Sequence, residues 1–125
     1  MREELLSGAI RISDDVVATI AAVAAGETPG IAAMSGGISE GLAKRISGKN
    51  AQKGVGVEVG STETAIDLRV IVQYGSKIHE VCKALQLNVK QTVESMTGLK
   101  VVEVNIKVEG VAFKEETAVE VAKKN

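Results

Sequence analysis

Residues 96–106 read MTGLKVVEVNI, and the reading of this stretch decides the fold. It begins as the end of a helix, stops at Gly98 and continues as an alternating strand. Gly98 suits the left-handed conformation that ends helices, and Leu99 is expected to fold back on Val93 in a Schellman-type contact. Upstream, Ile78, Val81, Cys82, Leu85, Val89, Val93 and Met96 follow helical spacing, with Ser76 predicted as the cap. Downstream, Val102, Val104, Ile106 and Val108 alternate with Glu103, Asn105, Lys107 and Glu109, as in a strand with one buried face. A similar junction stands earlier in the chain, where TPGIAAM follows the first predicted helix.

Working outward, TAIDLRVIVQY predicts a strand with Ile66, Leu68, Val70, Val72 and Tyr74 on one face and Asp67, Arg69 and Gln73 on the other. GVGVEVG predicts its hairpin partner, joined through residues 60–63. Ala9 to Ile12 reads as a short strand. Ser13, Asp14 and Asp15 then provide a helix cap and an acidic first turn. In that helix Val16, Val17, Ile20, Val23 and Ala24 share a face, and Gly26 and Pro29 end it. GIAAMSGG reads as a strand, residues 36–53 as mobile with a short helix in EGLAKRIS, and KEETAVEVAKKN as a frayed helix or polar tail. Strands apolar on one face plus two striped helices predict an α+β two-layer sandwich, with two main helices on one face of a mainly antiparallel or mixed sheet. The expected organisation is an N-terminal extension (1–7), one domain (8–113) and a tail (114–125).

Composition agrees with one globular domain. The 125 residues are 45% hydrophobic and 25% charged, with aromatics at only 2%, so the core must be aliphatic. The two aromatics, Tyr74 and Phe113, offer no row of stacking platforms for bases or sugars. Net charge is −1, from 15 basic and 16 acidic residues, and no field of one sign points to nucleic acid or an anionic membrane. The lone Cys82 and the lack of a secretory signal point to a reducing cytoplasm. No apolar run has the length of a spanning helix, so direct membrane insertion is not expected.

Chemistry-bearing patterns are few. His79 and Cys82 lie three apart on one helix, yet a tight metal site needs three or four ligands, and Cys82 sits inside the apolar stripe. Nothing nearby lowers the Cys82 thiol pKa for a Cys–His pair. SGGISEGLAKRISGKN lacks the phosphate-loop pattern, since Asn50 follows Gly48–Lys49 and Ala43 stands five before Gly48. Lys44, Arg45, Lys49 and Lys53 make either a small anion-friendly patch or a solvated loop. Asp14–Asp15 reads as capping and Glu115–Glu116 as tail. No catalytic, cofactor or metal residues are expected. The polar sheet face, Asp67, Arg69, Gln73, Glu103, Asn105 and Lys107, is the candidate partner-binding surface.

From Gly8 to Phe113 the order of GAIRISDDVVATIAAVAA, PGIAAMSGG, KGVGVEVG, AIDLRVIVQYG and IHEVCKALQLNVKQTVESMTGLKVVEVNIKVEGV resembles the alkaline shock protein family. These are bacterial envelope stress response proteins. The resemblance implies a cytoplasmic, Gram-positive bacterial protein without known catalytic residues, some members being held near the membrane by an integral membrane partner. The expected function is a non-enzymatic scaffold or adaptor for envelope homeostasis. Its expected partners are a protein, such as a membrane anchor, and further copies of itself. A small-molecule or lipid-binding accessory protein is the alternative.

Overall fold

The structure is a computed structural model describing residues 7–35 and 54–113. Its elements run α1 (Asp14–Gly26), β1 (Ile31–Met34), β2 (Val55–Val59), β3 (Glu63–Gln73), α2 (Ile78–Thr97) and β4 (Lys100–Ala112). The predicted two layers are present, with both helices on one face of a four-stranded mixed sheet. β3 is central. β4 runs parallel to it from Glu63 to Gln73, joined by the α2 crossover that parallel pairing requires.

β1 and β2 share the other edge of β3, end to end and both antiparallel to it. Arg69 marks the joint between them. Its N–H donates to the Gly54 carbonyl and its carbonyl accepts from the Ser35 N–H, both at 2.8 Å. The predicted mobile loop and helix within 36–53 lie outside the described residues, as do the extension's first six residues and the tail from 114.

The core is aliphatic. Ile66, Leu68, Val70 and Val72 of β3 are buried against Leu85, Val89 and Val93 of α2. Burying each such side chain contributes about 1.5–3 kcal/mol before entropy is counted. α1 contributes Val17, Ala21, Ala24 and Ala25, whose small side chains let it lie close to α2. At its C-terminal end the Thr28 hydroxyl donates to the Ala24 carbonyl at 3.0 Å and accepts from Asn88 Nδ2 of α2 at 2.9 Å.

Several expectations are corrected. Residues 9–12 form no strand, and Ile10 is 91% exposed while Ile12 alone packs on the core. Ser13 caps α1 as predicted, accepting from the Val16 N–H, but the buried face is the alanine side. Val16 and Val23 are exposed because they lie off the face of Val17, Ala21, Ala24 and Ala25 that packs into the core. The α2 cap position is Lys77, without a side-chain bond, because Ser76 still belongs to the turn and donates its N–H to Gln73. Ile78 and Met96, in the first and last turns of α2, are exposed, so the stripe is buried only at its centre.

Gly98 is left-handed as predicted, at φ 80°. The contact is not the full Schellman pattern, because the Leu99 N–H donates to Thr97 Oγ1 at 3.0 Å rather than to a helix carbonyl. A bulge between Val101 and Glu103 then shifts the alternation of β4. Val101 takes the buried place and Val102 is exposed. Tyr74 lies past the end of β3, exposed, with its ring centroid 4.9 Å from that of Phe113.

Candidate functional site

The sheet face away from the helices carries the predicted surface. Register sets Ala65 beside Glu103, Asp67 beside Asn105 and Arg69 beside Lys107. Asp67, Arg69, Gln73, Glu103, Asn105 and Lys107 are all exposed, and the side-chain period of two puts them on one face. Asn105 Nδ2 donates to Asp67 Oδ1 at 2.9 Å and to Glu103 Oε1 at 3.2 Å, which fixes an acidic corner. Arg69 and Lys107 stand side by side on adjacent strands. Among the described residues, neither has a carboxylate within ion-pair distance. Ser35 Oγ donates to Glu109 Oε1 further along. The face therefore runs from acid at one end to base in its middle.

Sequence reasoning missed a second feature, the seam between α2 and the outer edge of β4. A groove of about 680 Å³ lies there, lined by Lys83, Gln86, Leu87 and Lys90 of α2 and by residues 100–104. Two helix side chains occupy backbone groups of the strand edge. Gln86 Nε2 donates to the Val104 carbonyl, and Glu94 Oε2 accepts from the Val101 N–H, each at 2.9 Å. Glu94 also pairs with Lys90 at 3.4 Å. The Val101 N–H, chiefly, holds the Glu94 carboxyl below the usual carboxylate range. Partial burial opposes it, while a hydrogen bond from Lys90 and the charges of Lys90 and Lys100 assist. No sequence motif announces this arrangement, because the Val101 N–H is turned outward by a bulge that alternation conceals.

Cys82 is half-buried rather than fully enclosed, and burial pushes its thiol pKa up, away from nucleophilic use. His79 is exposed, one position off the buried stripe. Asp14 and Asp15 occupy the first turn of α1. Among the described residues, no three His, Cys, Asp or Glu side chains gather where a metal ion could be held. No helix among them is long and apolar enough to cross a membrane. The basic residues 44–53 and Glu115–Glu116 lie outside the described residues.

Two helices covering one face of a mixed sheet, with a polar face opposite, define a two-layer α+β protein. Residues 2–113 match the alkaline shock protein 23 family, described as having a cell envelope-related function, and the chain belongs to that family. It is 41% identical over 106 residues to the uncharacterized protein YloU of Bacillus subtilis, covering 83% of this chain and 88% of that protein. It is 34% identical over 111 residues to the uncharacterized protein YqhY of the same organism, covering 89% and 82%. A stress response regulator gls24 homolog of Streptococcus pyogenes is 30% identical over 112 residues, which cover 89% of this chain but 63% of that longer protein. No solved structure matches. Family and relatives support the expected envelope and stress context and the Gram-positive setting.

Proposed function

We propose that this protein is a non-catalytic adaptor of the cell-envelope stress response, binding a protein partner through the open face of its sheet. One observation carries the reading. Arg69 and Lys107, like charges directly opposite on neighbouring strands, cost the fold stability and contribute nothing to its core. An acidic group on a partner, a membrane anchor protein among them, would compensate both at once. The strands hold the two cations on a rigid surface, so little ordering is needed on binding. The aliphatic core fills the centre of the space between helices and sheet, and the groove between α2 and β4, with Leu87, Val102 and Val104 in its lining, is where the small-molecule or lipid-binding alternative would act.

The test is sedimentation with membranes from the native cell, compared with protein-free liposomes. The wild-type chain is expected in the cellular membrane fraction and absent from pure lipid. Arg69→Glu, a surface change of about 0.5 kcal/mol or less in stability, is expected to release it. Circular dichroism and melting of the variant serve as the folding control. Wild-type protein found wholly outside the membrane fraction, or strong binding to pure lipid, would defeat the adaptor reading.

A further inference from the structure

We propose that two copies of this chain associate edge to edge through β4, antiparallel, with Asn105 on the two-fold axis. This goes beyond the adaptor reading and does not depend on it. β4 is 13 residues long and among the described residues pairs with β3 alone, so within them no strand takes up its outer edge.

The register with β3 fixes which backbone groups of β4 face outward. At the start of β4 the Lys100 N–H points inward, to the Thr62 carbonyl, and at its end the Ala112 carbonyl accepts from Tyr74. Between them the register shifts twice, once between Val101 and Glu103 and once between Val108 and Gly110. Each shift exchanges inward for outward groups. Hence Glu103, Asn105 and Lys107 bond inward, while Val104, Ile106 and Val108 present N–H and carbonyl groups outward. The bond from Gln86 to the Val104 carbonyl agrees with this assignment.

Outward residues of one copy must meet outward residues of the other, which restricts the axis to whole residues. With Asn105 on the axis, Val104 faces Ile106 of the second copy in a hydrogen-bonded pair. On the open face Glu103 then faces Lys107 of the second copy, and Lys107 faces its Glu103. The contact gains two opposite-charge cross-strand pairs and two aliphatic ones. Other axes lose this. An axis at Ile106 sets Glu103 against Glu109, one at Lys107 sets lysine against lysine, and one at Glu103 sets glutamate against glutamate.

The Val104 carbonyl has a second lone pair for the incoming N–H, so Gln86 need not leave. Beside the edge, Leu87 and Val102 are 52% and 48% exposed, and the groove between α2 and β4 leaves the strand approachable. The ladder is short, bounded by both bulges, so the association is concentration-dependent rather than permanent. Arg69, one strand further in, keeps its place on the open face, and the dimer presents that face twice.

Sedimentation velocity on the full chain over a rising concentration series tests the contact. Wild type is expected to shift toward dimer. Glu103→Lys and Lys107→Glu each turn two attractive pairs into two repulsive ones, and each should weaken dimerisation about tenfold or more. Glu103→Lys combined with Lys107→Glu should restore it, because the pairs return with reversed sign. A second measurement uses Asn105→Cys in a Cys82→Ala background. Residues directly opposite in a non-hydrogen-bonded antiparallel pair lie about 4.5 Å apart between Cα atoms, so oxidation should yield a disulfide-linked dimer. Wild type that stays monomeric, single reversals without effect, a combined variant as weak as the singles, or an Asn105→Cys chain that does not crosslink would each overturn the proposal. Arg69→Glu should leave dimerisation intact, so failure of the adaptor reading and failure of this one are told apart.

Discussion

The chain passes twice from a helix through a glycine to a buried aliphatic residue and a strand, and the two passages are held differently. At the first, Gly30 precedes Ile31, and at the second, Gly98 precedes Leu99; both glycines have positive φ, at 97° and 80°. Around Gly30 the structure is closed. A Cβ there would sit 2.6 Å from a methyl of Val81 on α2, whereas a Cβ on Gly98 would meet nothing within 4 Å. The first junction is fixed by tertiary packing between the helices. The second is fixed locally, by Thr97 and Glu94 of its own helix. Equal-looking sequences can thus owe their glycines to different needs.

Gly30→Ala should be the most damaging change at either junction. It adds a left-handed non-glycine residue, costing about 1–2 kcal/mol, to an overpacked contact costing about 1–3 kcal/mol. Denaturant unfolding should show a loss of roughly 2–5 kcal/mol. Val81→Ala in the same chain should recover the packing part and leave the backbone part. If the second substitution recovers nothing, Gly30 is needed for conformation alone and the contrast with Gly98 collapses.

Next in size is the threonine at each junction. Thr28 is buried and links the Ala24 carbonyl to Asn88 of the other helix, so Thr28→Val leaves the Asn88 amide without its partner. A loss of about 1–3 kcal/mol is expected, the usual range for a stranded polar group. Thr97 is half-buried and bonds only within its own junction, to the Val93 carbonyl and the Leu99 N–H. Thr97→Val should cost about 0.5–1.5 kcal/mol, since water can reach the groups it leaves. Equal losses would show that the second junction is as closed as the first.

These differences explain what could be read beforehand. Periodicity sufficed for β3, the centre of α2 and the two-layer arrangement, because each depends on one residue's place relative to its neighbours. The six exposed residues of the open face followed from the same rule of two. Where reading failed, the cause was contact across elements. Nothing in VVATIAAVAA says that the face of Val17, Ala21, Ala24 and Ala25, rather than Val16 and Val23, will be the one covered. Alternation in β4 hides the bulge, and with it the exposure of Val102 and the outward Val101 N–H that Glu94 accepts. Ser76 has the chemistry of a cap, but the turn holds it one residue short of the helix.

Gly98 gives the third test. With open space around it, only backbone conformation is at stake, so the cost should depend on side-chain branching at Cβ. Asn tolerates positive φ and should cost well under about 1 kcal/mol, whereas Gly98→Val should cost about 1–3 kcal/mol. Gly30 should not show that ordering, since Asn is bulkier than Ala and would meet Val81 harder. Equal stability of the Asn and Val variants at Gly98 would mean that φ is not what the position requires.

The smallest effect expected is a pH dependence present at one junction alone. The first is tied by neutral groups, Thr28, Asn88 and the Ala24 carbonyl, whose bonds do not titrate. The second includes the Glu94 carboxylate, which the Val101 N–H and then Lys90 and Lys100 hold below its usual pKa. A carboxyl lowered in the folded state adds stability above its unfolded pKa, and that contribution disappears as pH falls through the folded value. Acidification should therefore loosen the α2–β4 seam before it disturbs the α1–β1 junction. Amide exchange followed by NMR from about pH 6 to about pH 3, corrected for intrinsic rates, should show Val101 losing protection earlier than Ile31. Glu94→Gln keeps an acceptor oxygen but removes the charge, so the Val101 amide should be less protected at neutral pH and should no longer respond to acid. An unchanged acid response in that variant would assign the pH dependence to another carboxylate, and the second junction would then be, like the first, a matter of packing and neutral hydrogen bonds.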